Sequence, residues 1–325
     1  MNLAPLQTYT REQLLMGSAF SLGVVAGSEE MAGEWLELGV QEIQRLEAMF
    51  TEFKPESETS RLNREAGKRP VKVDAECFAL LQRSLAISRL SQGAFDITVK
   101  PLKKLYRFQR DAFQFPSRQE IAAALTKVGY DKIELDPEQG TVFFREPELQ
   151  ISFAAIGKGY ASDRVRRLWQ QAGAPGGYIN ASGDLSAFGT KPNGSTWKVG
   201  IADPREQPDA QNESHSPRPI LFYAPLTQGA AATSGDYEQF FVFAGKRYSH
   251  NIDPRTGLPL TGLKSVTVFS PSAELSDALA TAVYVKGAKA GIEFVDQLPQ
   301  THCILVDEQD EIIFSSNLKY ESIAT

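Results

Sequence analysis

The chain has 325 residues, 42% hydrophobic and 23% charged, an ordinary balance for a globular protein. A formal net charge of −6 with no Lys/Arg block argues against nucleic acid as a bulk electrostatic partner. No apolar run approaches the roughly 20 residues of a transmembrane helix, and the length suits either two domains or one large α+β unit.

The opening MNLAPLQTYTREQLLMG carries no basic segment followed by an apolar one. A chain starting at Met1 is expected in the cytoplasm. Removal of a leader ahead of it would instead imply a periplasmic or lipid-anchored protein. Residues 19–26 (AFSLGVVA) predict a strand. Leu36, Val40, Ile43, Leu46 and Phe50 recur at spacings of four and three and predict a helix over 30–50. The polar segment FKPESETSRLNREAGKRP has too little apolar content for a core element. A second helix is predicted over 75–91, with Phe78, Leu81 and Leu85 on one face. SQGAFDITVKPL then reads as a glycine-initiated turn into an extended piece.

Ser117 with Glu120 three residues on is a capping-box pattern, predicting a helix over 117–128. TVFF (141–144) and LQISF (149–153) predict strands paired through REPE. GKGYASDRVRRLWQQAG reads as a glycine-rich turn opening a helix, with Gly173 past its end. Strands are predicted at 197–202, 220–226, 239–244 and 264–270, a helix at 275–290, and a closing hairpin at about 302–316. Residues 205–219 are Pro/Ser/Asn-rich and read as an exposed loop within a domain. Interspersed helices and hairpin-like strand pairs favour α+β over a doubly wound parallel sheet. Cys77 and Cys303 lie in apolar surroundings, in no CxxC pattern, and read as buried free thiols.

Five constellations can carry chemistry. Ile-Gly-Lys-Gly at 156–159 is either a tight βα turn or a helix N-terminus that receives phosphate, with Lys158 adding charge. Asp96 within GAFDITV either caps a local turn or accepts from a ligand donor. Thr233 within TSGDYEQFF belongs either to a hairpin-entry turn or to a ligand contact. His250 in YSHNIDPRTGLP is either structural or an acid/base, and Arg255 either fixes the turn or binds phosphate. Asp277 and Thr281 in SDALATA lie four apart on a predicted helix and share a face. They can ligate a hard cation such as Mg2+, or Asp277 simply supports the helix start.

PESETSRLN, GAFDITVKPL, GKGYA, WKVGIADP, TSGDYEQFF, YSHNIDPRTG and SDALATA, in this order, together resemble the ApbE family of FAD:protein FMN transferases. The likeness spans about Met16 to Gly291. It implies an α+β fold related to the tunnelling fold, with mixed or antiparallel sheets and packed helices, in a single domain over 1–325 with its core at about 16–291. It also implies a Mg2+-dependent reaction in which FAD is the substrate, FMN passes to a Thr or Ser hydroxyl of an acceptor flavoprotein, and AMP leaves. The matching positions imply Asp277, Thr281 and Ala155 as metal contacts. They imply Met16, Phe53, Ala94, Phe95, Asp96, Lys158, Thr233 and His250 as FAD contacts, with His250 and Asp277 catalytic. Members read D-L-G-G-I-A-K-G where this chain has Ser152-Phe153-Ala154-Ala155-Ile156-Gly157-Lys158-Gly159, and N-L-G-G-D where it has Asn180-Ala181-Ser182-Gly183-Asp184. A metal-dependent FAD pyrophosphatase and a flavin-binding protein without turnover are the alternative readings.

Overall fold

The computed structural model describes residues 5–106, 115–205, 219–235, 240–243, 246–316, 318 and 321–322. It begins with an antiparallel hairpin of β1 (Gln7–Leu15) and β2 (Ser18–Ala26). Its two-residue turn, Met16–Gly17, has φ of 51° and 71°, the primed-turn geometry that matches strand twist. Only β2 is legible as an apolar run. β1 lies at the sheet edge and buries Leu15 alone.

α1 (Glu29–Phe50) starts at Ser28, whose side chain accepts from the Met31 N–H, and all five residues of its predicted stripe are buried. The polar segment after it is not devoid of core structure. It forms α2 (Glu58–Glu65), capped by Ser57, with Leu62 buried and Thr59 Oγ1 donating to the Phe50 carbonyl at 2.8 Å. Hydrogen bonds anchor this helix where apolar periodicity is weak. β3 (Val71–Lys72) and α3 (Ala75–Leu90) follow. The expected extended piece after Gly93 is instead a run of turns into α4 (Lys100–Lys103). The cause is Asp96, whose Oδ1 accepts from both the N–H and the hydroxyl of Thr98 and curls the chain.

α5 (Arg118–Leu125) has the complete capping box of Ser117 and Glu120. β5 (Thr141–Phe144) pairs with β4 (Ile133–Asp136) and β3, not with 149–153. Residues 149–153 form no strand. Leu149, Ile151 and Phe153 alternate into the core, but their backbone is satisfied elsewhere. The Ile151 N–H donates to Asn63 Oδ1 at 2.8 Å, and the Ser152 N–H donates to the Ile97 carbonyl at 2.8 Å.

α6 (Gly157–Gln171) ends before Gly173 at φ 87°. β6 (Gly176–Ala181), β7 (Asp184–Gly189), β8 (Trp197–Ala202), β9 (Ile220–Leu226), β10 (Gly229–Gly235), β11 (Phe240–Phe243), β12 (Lys246–Ser249) and β13 (Leu263–Ser270) come next. The single helix expected over 275–290 is two helices, α7 (Ala273–Lys286) and α8 (Ala288–Val295), because Gly287 at φ 79° breaks the run. β14 (His302–Asp307) and β15 (Ile312–Phe314) make the closing hairpin, and β16 (Glu321–Ser322) joins β9. Except for Arg205 and Pro219, the loop expected at 205–219 lies outside the described residues, as does Asp236.

The main sheet runs β1-β2-β6-β7-β10-β13-β14-β15, and every neighbouring pair is antiparallel. Its two faces are both covered. Val266 and Val268 of β13, with Cys303 and Leu305 of β14, join the core under α1, α6 and α7. Phe269 and Ile304 face the other way and pack with Val199, Ile201, Phe222 and Ala224 of the β16-β9-β8 sheet. Strand period 2 thus serves two cores. Both cysteines are buried and free, and burial pushes their thiols well above the ordinary range.

Candidate active site

Two adjacent cavities open along the edge of the helical layer. The first, about 360 Å3, is lined by Met16, Glu47, Phe50, Phe53, Phe153 and Lys158, among others. The second, about 490 Å3, is lined by Ala94, Phe95, Asp96, Ala155, Asn251 and Thr281, with a lysine-rich side from α4. Glu52, Phe53, Ser152 and Ala154 belong to both. Phe53 is 87% exposed, an aromatic face at the shared rim.

Local sequence explains how these side chains arrive. Met16 sits in the left-handed region, unusual for a non-glycine residue, and its N–H donates to Glu47 Oε2 at 3.0 Å. The second glycine of Gly-Lys-Gly is a packing requirement. A Cβ at Gly159 would collide with the Ala273 carbonyl where α6 crosses α7. That close approach lets the Gly159 N–H donate to Asp277 Oδ2 at 3.2 Å. Lys158 Nζ lies 3.1 Å from Asp184 Oδ2, and the Thr233 N–H donates to Asp184 Oδ1 at 3.0 Å. Asp277, Gly159, Lys158, Asp184 and Thr233 therefore form one polar cluster at the α6–α7 junction.

The electrostatics of this cluster are unusual. Burial pushes the Asp277 carboxyl up to about 7, and the neighbouring Asp184 carboxylate adds to the rise, while Lys158 and the Gly159 N–H oppose it. A second positive charge beside Asp277 would relieve both causes. Asp277 and Thr281 are one turn apart on α7, and Thr281 and Ala155 line the second cavity. Among the described residues no group of three or more His, Cys, Asp or Glu side chains could hold a metal ion. Asp277 and Thr281 offer one carboxylate and one hydroxyl, oxygen donors of the kind that Mg2+ takes while keeping waters. Asp277 and Thr281 are the residues that would hold it.

The remaining predicted residues divide. Ala94, Phe95 and Asp96 all line the second cavity, but both Asp96 oxygens are already engaged, Oδ1 by Thr98 and Oδ2 by the Tyr130 N–H at 2.9 Å. Burial raises the Asp96 carboxyl and these hydrogen bonds oppose the rise. Thr233 lies on β10, and its hydroxyl is 2.9 Å from that of Thr267. Arg255 is clamped by Asp253 through two bonds of 2.9 Å, the turn-fixing arrangement. His250 follows β12 directly and is half-buried. It lines neither cavity, although the next residues, Asn251 and Ile252, line the second.

A model of the ApbE family matches residues 16–305. The chain belongs to the ApbE family. The FAD:protein FMN transferase of Klebsiella pneumoniae (strain 342) is 30% identical over 311 residues, 95% of this chain and 92% of that relative. The ApbE protein of Thermotoga maritima matches with a TM-score of 0.83 at 32% identity, covering 95% of this chain and 97% of that one. Pseudomonas stutzeri flavinyl transferase ApbE matches with a TM-score of 0.80 at 26% identity, covering 97% and 96%. The mixed α/β architecture with antiparallel sheets is that of these ApbE structures.

Of the two departures from the ApbE pattern, that at 180–184 lies in the β6–β7 turn and that at 152–159 reaches the join of the two cavities. Ser152 and Ala154 line both, and Ser152 Oγ accepts from the Ala154 N–H at 3.3 Å. Four residues of the site are absent from the sequence-based set: Asp184, Glu52, Lys100 and Lys103. Asp184 had a signal, since Ser182 and Gly183 at φ 55° and 103° form the β6–β7 hairpin turn that presents it. Glu52 and Lys100 had none: they are 48 positions apart and meet only in the fold, Nζ to Oε2 at 3.2 Å.

Proposed function

We propose that this ApbE-family chain transfers FMN from FAD to a Thr or Ser hydroxyl of an acceptor flavoprotein, releasing AMP, with Mg2+ at the pyrophosphate. The observation that carries this is the polar cluster of Lys158, Asp184 and Asp277 beside two joined cavities, with Thr281 and Ala155 opening on the second. FAD consists of two ring systems joined by two phosphates. Two cavities meeting at Ser152 and Ala154 suit that shape.

The residues divide the work. Phe50, Phe53, Phe153 and Met16 offer an apolar and aromatic bed for a ring system. Lys158, drawn in by Asp184, adds positive charge near the phosphates. A divalent cation on Asp277 and Thr281 would polarise the phosphoryl oxygens and neutralise the leaving group. In the transfer, the acceptor oxygen forms a bond to the FMN phosphorus and the bridging P–O bond breaks toward AMP. His250 is the proposed base that takes the hydroxyl proton.

The reading is tested by chromatography of FAD incubated with the protein and Mg2+, with and without a Thr-bearing acceptor. Transfer predicts AMP released only in step with acceptor consumption. AMP and free FMN in equal amounts without acceptor would instead identify a pyrophosphatase, and unchanged FAD a binding protein.

A further inference from the structure

Three lysines of one segment, Lys100, Lys103 and Lys104, line the second cavity. Two of them are occupied. Lys100 Nζ pairs with Glu52 Oε2 at 3.2 Å, and Lys104 Nζ donates to Gln150 Oε1 at 2.6 Å. Lys103 is half-buried; its backbone bonds to Val99 and Tyr106, but among the described residues its ammonium makes no hydrogen bond or ion pair. The other charges lining that cavity are Glu52, committed to Lys100, and Asp96, whose oxygens are taken by Thr98 and Tyr130. Partial burial lowers the Lys103 pKa, and the Glu52 charge opposes that shift.

We propose that Lys103 is a further ligand-binding residue that receives a phosphate oxygen of the dinucleotide lying across the two cavities. The inference rests on the reading of FAD as substrate. The only groups of FAD that are anionic near pH 7 are its two phosphates, and Thr281 and Ala155, on the proposed cation side, line the same cavity as Lys103. The phosphates, as the ligand's anionic groups, are the strongest match for that ammonium.

The test is equilibrium binding to the purified full chain, by flavin fluorescence and calorimetry, in chelator so that no metal contributes. FAD and AMP carry phosphate; riboflavin and adenosine do not. Lys103→Met is expected to weaken FAD at least tenfold, weaken AMP or FMN, and leave riboflavin and adenosine unchanged. Lys103→Arg, which keeps the charge, is expected to retain most of the FAD affinity. Unchanged FAD affinity in Lys103→Met, or equal losses for FAD and riboflavin, would each overturn the assignment. Failure of the wild-type chain to bind FAD both in chelator and with Mg2+ would instead refute the reading on which it rests, and the inference with it. Thermal melts of both variants separate loss of binding from loss of folding.

Discussion

Asp277 is buried against another carboxylate, and its pKa rises to about 7 from burial first and Asp184 second. Burying a carboxyl beside another costs stability, which Lys158 and the Gly159 N–H offset in part and a bound cation would offset further. Asp277→Ala is expected to abolish metal-dependent turnover, a fall in kcat of at least a hundredfold, while the melting temperature stays level or rises. Full activity in that variant would remove the proposed metal site. Met16 makes a complementary case. At φ 51° it holds a conformation that costs a non-glycine residue about 1–2 kcal/mol. Its side chain also lines the first cavity. Met16→Gly should therefore melt no lower than wild type but bind FAD several-fold more weakly; a variant that loses stability and keeps affinity would contradict both halves. At this scale the sequence was legible where a residue's partners are local. Arg255 with Asp253, and Asp96 with Thr98, are both two residues apart. Lys103 and Glu52 were illegible because their significance depends on what surrounds them after folding.

The elements that position the site are α6 and α7, and Gly159 is where they touch. An added Cβ there meets the Ala273 backbone, which cannot swing aside as a side chain can. Gly159→Ala is expected to cost about 1–3 kcal/mol of stability and to lengthen or break the Gly159–Asp277 bond. Its urea-unfolding midpoint and FAD affinity should fall together; a midpoint equal to wild type would show that the helices can part at no cost. Elements with strong caps or periodicity were legible: α1 from its stripe, α5 from its capping box, α6 from its glycines. Where the reading failed, another force had replaced the usual one. Residues 149–153 bury alternate side chains as a strand would, yet Asn63 and Ile97 satisfy their backbone in place of a ladder. α2 is held by Ser57 and Thr59 more than by apolar area, and edge strand β1 shows only faint alternation.

Across the molecule, an ion-pair network ties the helical layer together before the site is built. Glu42 of α1 accepts from Arg45 at 2.8 Å and from Arg164 of α6 at 3.0 Å, and Arg45 reaches Glu76 of α3 at 2.7 Å. Arg45, then Arg164, holds the Glu42 carboxyl below its ordinary value of 4.5 against the opposing effect of burial. A depressed folded pKa gives stability that is present above 4.5 and is lost as pH falls through the folded value. Glu42→Gln should thus cost about 1–3 kcal/mol at neutral pH, with the gap in melting temperature closing below that range. A gap constant from pH 7 to the acid limit would rule the linkage out. The network fixes α1, α3 and α6, and through α6 it sets the two cavities and the cluster around Asp277. That this assembly moves FMN onto a protein hydroxyl is tested most directly by intact mass. The acceptor flavoprotein is incubated with FAD, Mg2+ and either wild type or Asp277→Ala. The account predicts a mass gain of one FMN, less water, on the acceptor with wild type, none with the variant and none in chelator. An unmodified acceptor with wild type, or an adduct that forms equally with the variant, would contradict it.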